Sequence, residues 1–150
     1  MQSYLLAWNP NVYPWEELPQ DAHVVTSGGL RPIRWSCGNN RRPEAGDQAF
    51  LIKLGVEPRG LIGRGTIVRG SFEDYHFRQE RAREGKKCRY IEILFDSLVD
   101  GHRKVVVGMP ELQLGVLAKQ HWSTQISGIQ IKPPVVNRLE EIWDNRLNDK

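Results

Sequence analysis

Apolar residues along this chain come in short runs cut by glycine, proline and asparagine, a spacing that suits a small sheet protein better than long helices. Tyr4-Leu5-Leu6-Ala7-Trp8 reads as a buried strand, and Asn9-Pro10-Asn11 stops it because proline cannot donate to a ladder. Pro14-Trp15-Glu16-Glu17-Leu18 sets proline ahead of two acids, the order that opens a helix of about one or two turns. Ile33 to Ser36 makes a short strand after the flexible Ser27-Gly28-Gly29. The turn Pro43-Glu44-Ala45-Gly46-Asp47 feeds Gln48–Lys53, and Gly60–Val68 follows the loop Gly55–Arg59, which predicts two adjacent antiparallel strands. Gly63 and Gly65 strip side chains from one face of the second, so either the sheet bends there or another backbone comes close.

From Ser71 to Lys87 the chain is polar and charged without a sustained period, and a mobile excursion is expected. Arg89–Val99 returns as a long strand, and the stretch from Asp100 to Val107 continues the sheet after a turn at Asp100-Gly101. Met109-Pro110-Glu111-Leu112 opens a short helical piece. Pro133 and Pro134 then start a helix whose Val135, Leu139, Ile142 and Trp143 share one stripe. The sum is an α+β chain: a small β-barrel of about five to six strands with peripheral helices and a C-terminal helix.

The length of 150 residues fits a single domain, 1–150, able to bury roughly two-thirds of its unfolded surface. Cys37 and Cys88 have neither C-x-x-C spacing nor paired histidines, so no metal, no other cofactor and no disulfide framework are expected. No apolar run approaches the ~20 residues that span a bilayer, and the first residues lack a signal-peptide pattern. A soluble, cytoplasmic protein without a membrane partner is the expectation. The sequence is silent on oligomeric state.

Net charge is only +3, so distribution matters more than the total. Arginines gather at 31, 34, 41, 42, 59, 64 and 69, whereas acids gather at 16–17, 73–74 and 140–141, which points to one basic face. Within that basic stretch stands Arg34-Trp35-Ser36-Cys37-Gly38, a tryptophan on a short strand ringed by Arg31, Arg34, Arg41 and Arg42. Aromatic planes among guanidinium groups suit bases and phosphates. Catalytic signatures are missing: there is no Gly-x-Ser-x-Gly, His-Glu-x-x-His or phosphate loop, and histidines 23, 76, 102 and 121 are scattered. No enzymatic activity is expected.

The order of Tyr4–Pro10, Trp35-Ser36, Ala45-Gly46-Asp47-Gln48-Ala49-Phe50-Leu51-Ile52 and Pro58–Gly65 resembles the EVE domain of the PUA-like superfamily, which is related to the YTH readers of methylated RNA. His121–Gly128, followed by a helix reaching Trp143, is similar to EVE modules placed ahead of HNH nucleases in modification-dependent restriction enzymes. The resemblance implies a reader that flips a modified base, 5-methylcytosine or 5-hydroxymethylcytosine in DNA, into an aromatic pocket, with an HNH nuclease on the same or a separate chain. Methylated or structured RNA is the alternative ligand, and a protein-interaction adaptor the alternative class.

The same resemblance makes Trp35 one wall of the pocket and sets Asn9 against the base edge, with Ser36 and Cys37 beside it. Trp8 either lines that pocket or packs the barrel mouth. Trp122, Gln125 and Ser127 form a polar-aromatic cluster that either completes the pocket or serves a structural loop. Phe72 and Tyr75 are candidates for the second wall. Arg31, Arg34, Arg41 and Arg42, with Arg64 and Arg69 behind them, are the phosphate candidates. Trp15 and Trp143 are assigned to the core, and the run Arg81, Arg83, Lys86, Lys87 to a salt-bridged solvated face.

Overall fold

In the computed structural model, which describes residues 1–148, one seven-stranded sheet curls into a half-barrel with helices packed on both of its faces. The elements are β1 (Ser3–Trp8), α1 (Leu18–Thr26), β2 (Ile33–Gly38), β3 (Gln48–Lys53), β4 (Gly60–Tyr75), α2 (Gln79–Arg83), β5 (Lys87–Leu98), β6 (Val107–Gly108), α3 (Met109–Leu112), a 3₁₀ turn (Gly115–Lys119), β7 (Ile129–Gln130) and α4 (Pro133–Asn148). The strand order is β2-β5-β4-β3-β1-β7, with β6 also on β4. β1 and β3 run parallel, from Ser3↔Gln48 to Trp8↔Lys53, and the other pairs are antiparallel.

The unbroken apolar runs of β1 and β3 follow from burial on both faces. With a period of two, Tyr4, Leu6, Trp8, Ala49 and Leu51 point into the barrel, where they meet Ile62, Ile91, Ile93 and Leu18 and Ala22 of α1. Leu5, Phe50 and Ile52 point outward to a second core built with Val135, Leu139, Ile142 and Trp143 of α4. The stripe expected on the last helix is the stripe that is buried. Arg64 fastens this helix: its guanidinium reaches Asp96 (3.0 Å), Glu140 (2.9 Å) and Asp144 (3.2 Å).

Close approach, rather than bending alone, explains the glycines of β4. A Cβ on Gly63 would stand 2.8 Å from the Phe95 ring, and one on Gly65 would stand 2.5 Å from the Leu94 carbonyl oxygen. The pairing of β4 with β5 also shifts register between these two residues.

Three expectations are corrected. The excursion from Ser71 to Lys87 is mostly an extension of the hairpin, pairing through Phe72↔Tyr90 to Tyr75↔Lys87 and capped by α2. Its polarity reflects a ribbon standing away from the core, which has no second layer to bury it. The first helix begins at Leu18, where the expected one ends. Pro19 sits in its first turn, and Trp15 is buried ahead of it with its indole N–H donating to Asp21 (3.0 Å). Between Asp100 and Gly108 only Val107–Gly108 pairs with β4, because the preceding residues form a turn in which Arg103 and Lys104 N–H bond the Asp100 carbonyl. No described helix is long and apolar enough to cross a membrane.

Candidate nucleic-acid interface

The half-barrel leaves a seam between β1 and β2, which Ser127 bridges and the Trp35 indole crosses. Ser127 Oγ accepts the Ala7 N–H (3.1 Å) and donates to the Ser36 carbonyl (2.6 Å). Gly128 N–H bonds the Leu5 carbonyl (2.8 Å), and Asn40 Nδ2 donates to the Gly128 carbonyl (2.7 Å). Gly128 has φ +95°, and a Cβ there would lie 2.5 Å from the Cys37 carbonyl oxygen, so only glycine passes between the two strands. The seam widens beyond this bridge into an open groove of about 1870 Å³. Its walls are β2, the loop after β1, the outer half of the β4–β5 hairpin and the segment Ser123–Gln130.

Trp35 stands in this wall half-buried. Its indole N–H donates to the Ala7 carbonyl (3.1 Å), its ring lies tilted against Trp15 (centroids 4.9 Å, 45°), and the Tyr13 ring meets it edge-on (5.7 Å). Three contacts therefore fix the orientation of a plane that borders the groove. Tyr90 also lines it, almost wholly buried: its hydroxyl donates to the Tyr75 carbonyl (2.6 Å), and the Arg34 guanidinium lies 3.8 Å from its ring centroid. Burial, aided by the neighbouring Cys88, pushes the Tyr90 phenol up to about 12. It is a neutral donor at any working pH.

The electrostatics of the groove are one-sided. Among the described residues, Arg34, Arg42, Arg59, Arg78, Arg81, Lys86 and Lys87 line it together with one carboxylate, Asp74. Arg34 is held to Asp74 (2.9 Å), Arg59 to Glu57 (2.7 Å), Lys86 to Glu84 (3.1 Å) and Lys87 to Glu73 (3.9 Å). Arg42, Arg78 and Arg81 have no carboxylate partner among the described residues. His76 senses this field: its imidazole lies below the ordinary value, through burial first and then through Arg81, Arg78 and Lys86. Exposed apolar side chains also concentrate here, with Val12, Tyr13, Tyr75, Phe77 and Ile126 all on the groove.

Several sequence candidates meet at this place. Trp35, Asn9, Ser36, Cys37, Tyr75, Gln125, Ser127, Arg34 and Arg42 all line the groove. Asn9 Oδ1 accepts the Asn11 N–H (2.9 Å), while its Nδ2 has no protein acceptor among the described residues. Ser36 Oγ accepts the Gly38 N–H (3.2 Å). The Cys37 thiol is buried against the Asn40 carbonyl, and burial pushes it up, so this residue offers backbone rather than a reactive sulfur. Trp8 borders the groove only from behind: it is 1% exposed, its indole N–H donates to the Tyr13 carbonyl (2.7 Å), and its ring packs edge-on to Trp15.

Other candidates lie elsewhere. Trp122 is buried in the second core with its indole N–H on the Leu117 carbonyl (2.8 Å), so it supports the outer layer. Phe72 is outside the groove lining, covered by Arg69 (3.6 Å to its centroid) and near Tyr90 (6.0 Å). Arg69 is thereby occupied and pairs with Glu92 (3.1 Å). Arg31 pairs with Asp21 (3.3 Å), and Arg64 is the fastener of α4. Arg41 is exposed but does not border the groove. Conversely, Arg81, Lys86 and Lys87, read from sequence as a solvated face, line it.

Tyr13, Tyr90, Phe77, His76 and Arg78 were not singled out from the sequence. The signal for Tyr90 was present in the strand register, since it pairs directly with Ser36 beside Trp35.

The curled sheet with helices on both faces is the PUA-like fold. Solved structures share it over nearly the whole chain. A hypothetical protein of Leishmania major matches with TM-score 0.67 at 14% identity, covering 98% of this chain and 97% of its own. A protein of Pseudomonas syringae matches at 0.63 and 16%, covering 94% and 99%. Human THYN1, solved in complex with DNA containing 5-methylcytosine, matches at 0.61 and 13%, covering 96% and 98%. No family model and no curated protein sequence matches.

Proposed function

We propose that this chain is a reader of modified cytosine in DNA, which takes the flipped base into the groove beside Trp35. The observation that carries this reading is the groove itself, where Arg42, Arg78 and Arg81, without a carboxylate partner among the described residues, and four acid-paired cations surround fixed and exposed aromatic rings. The DNA ligand of the like-folded THYN1 supports the choice of DNA over RNA. A base inside a duplex hides its faces, and extruding it costs a few kcal/mol. One aromatic stack returns about 1–3 kcal/mol, so Trp35 with a second ring covers that cost. Tyr75 is the exposed ring available for the second contact. The Asn9 Nδ2, which has no protein acceptor among the described residues, suits the base edge, and Arg42, Arg34 and Lys87 suit phosphates.

On this reading the extra methyl of 5-methylcytosine supplies about 0.8 kcal/mol of apolar contact. The domain carries recognition, and an HNH-type nuclease, on the same chain or another, carries cleavage in a modification-dependent restriction system. The test is a titration of duplexes carrying 5-methylcytosine, 5-hydroxymethylcytosine or cytosine at one position, with single-stranded methylated RNA as competitor. A preference for one modified duplex is expected. Equal affinities for all three would sink the proposal, and efficient competition by the RNA would transfer it to RNA.

A further inference from the structure

Beyond the groove lies a second cleft of about 460 Å³, opened between the loop after β1 and the tip of the β4–β5 hairpin. It shares Val12, Tyr13, Phe77 and Arg78 with the main groove, so the two are continuous. Tyr13 and Phe77 are 43% and 47% exposed, an unusual state for two aromatic rings standing over one cleft. The imidazole of His76 stacks on Phe77 (centroids 4.4 Å, 26°) and holds the phenyl plane. Arg78, without a carboxylate partner among the described residues, lies beside it. A volume in the small-molecule range, two rings and one free guanidinium fit a single nucleotide.

We propose that this cleft binds the base next to the flipped one, on the strand held in the groove, by stacking it on Phe77 and Tyr13. The proposal rests on the DNA-reading role assigned to the groove. It adds a selectivity that Trp35 does not carry. Gln79 and Glu80 line the cleft, and both side chains accept from an exocyclic amino group. The acceptor-only Glu80 carboxylate therefore favours a neighbouring cytosine, adenine or guanine, each with an exocyclic amino group, over thymine. Arg78 contacts the intervening phosphate.

The experiment is an abasic scan. Each nucleotide flanking the 5-methylcytosine is replaced in turn by an abasic unit, and Kd is measured for the wild type, Phe77→Ala and Trp35→Phe, with the same scan repeated on the unmodified duplex and on the single strand. One flanking position is expected to cost the wild type about 5- to 150-fold, the range of one base stack. Phe77→Ala loses the same factor on intact DNA and nothing further at that position, whereas Trp35→Phe keeps the full flanking penalty. Losses that simply add at every position, or a Phe77→Ala protein that binds like the wild type, overturn the cleft. A wild type that shows the coupling without preferring 5-methylcytosine retains the cleft and loses the modified-base reading. A wild type that binds neither probe overturns both.

Discussion

Removing Arg78 and Arg81, the unpaired arginines of the hairpin tip that line the groove, measures how the groove holds a phosphate backbone. Arg78 and Arg81 have no carboxylate to release, so any phosphate they meet displaces only a counterion. The salt dependence of binding then counts them directly, since log Kobs falls with log salt at about 0.9 per neutralised phosphate. If Arg42, Arg78 and Arg81 all contact phosphates, the slope from these three is about −2.7, and the four paired cations add less because each must first leave its own acid. The double variant Arg78→Gln/Arg81→Gln should therefore flatten the slope by about 1.8. The assay is fluorescence anisotropy with a labelled 5-methylcytosine duplex between about 50 and about 300 mM salt, the range in which this term dominates. The ratio of affinities for modified and unmodified duplex should not move, because phosphate contacts position the strand without reading it. An unchanged slope would refute the assignment of the basic lining to phosphate contact.

Other outcomes follow from the same geometry. Burial is the first cause that holds the His76 imidazole below its ordinary value and the cations Arg81, Arg78 and Lys86 the second, so phosphate entering beside them would cancel the second part and raise its NMR titration midpoint when DNA is added; an unmoved midpoint would place the strand elsewhere. In the free protein the sign is set by that depression: His76 contributes stability above its unfolded value, lost as pH falls through the folded one. Gly128→Ala should lower the melting temperature and weaken DNA binding together, since the new Cβ presses on the Cys37 backbone at the seam and the φ of +95° costs about 1–2 kcal/mol more. Arg64→Ala should destabilise the fold by about 1–3 kcal/mol in denaturant titrations while leaving the salt slope of DNA binding intact, because it removes the fastener of α4 and nothing from the groove.

Much of the fold is written in local patterns. The doubly apolar runs at Tyr4–Trp8 and Ala49–Ile52 mark strands buried on both faces, and the stripe Val135, Leu139, Ile142, Trp143 marks the helix that covers one of them. Trp35 and Arg42 stood out because an aromatic among arginines is legible without knowing any partner. Long-range pairing is where the pattern stops. Arg64 looked like a phosphate ligand because its carboxylates lie 76 and 80 residues further along the chain. Trp122 looked available because nothing near it has a period, yet its place in the outer core is set by α4 and the 3₁₀ turn. The hairpin arm was misread for the opposite reason. Its strands bury little beyond Cys88 and Tyr90, so their pairing leaves a faint hydrophobic trace, and the cations they carry towards the groove resemble an ordinary solvated face.

The most direct test of the central claim is the ratio of dissociation constants for the unmodified and the 5-methylcytosine duplex, measured for the wild type, Trp35→Phe and Trp35→Ala under one salt condition. Thermal melts alongside confirm that each variant is folded, which matters because Trp35 also packs on Trp15 and bonds Ala7. The account predicts a ratio of at least about 4 for the wild type, the worth of one buried methyl. It also predicts a smaller ratio for Trp35→Phe and one close to unity for Trp35→Ala. A wild-type ratio of unity, or a ratio that survives intact in a folded Trp35→Ala protein, would contradict it.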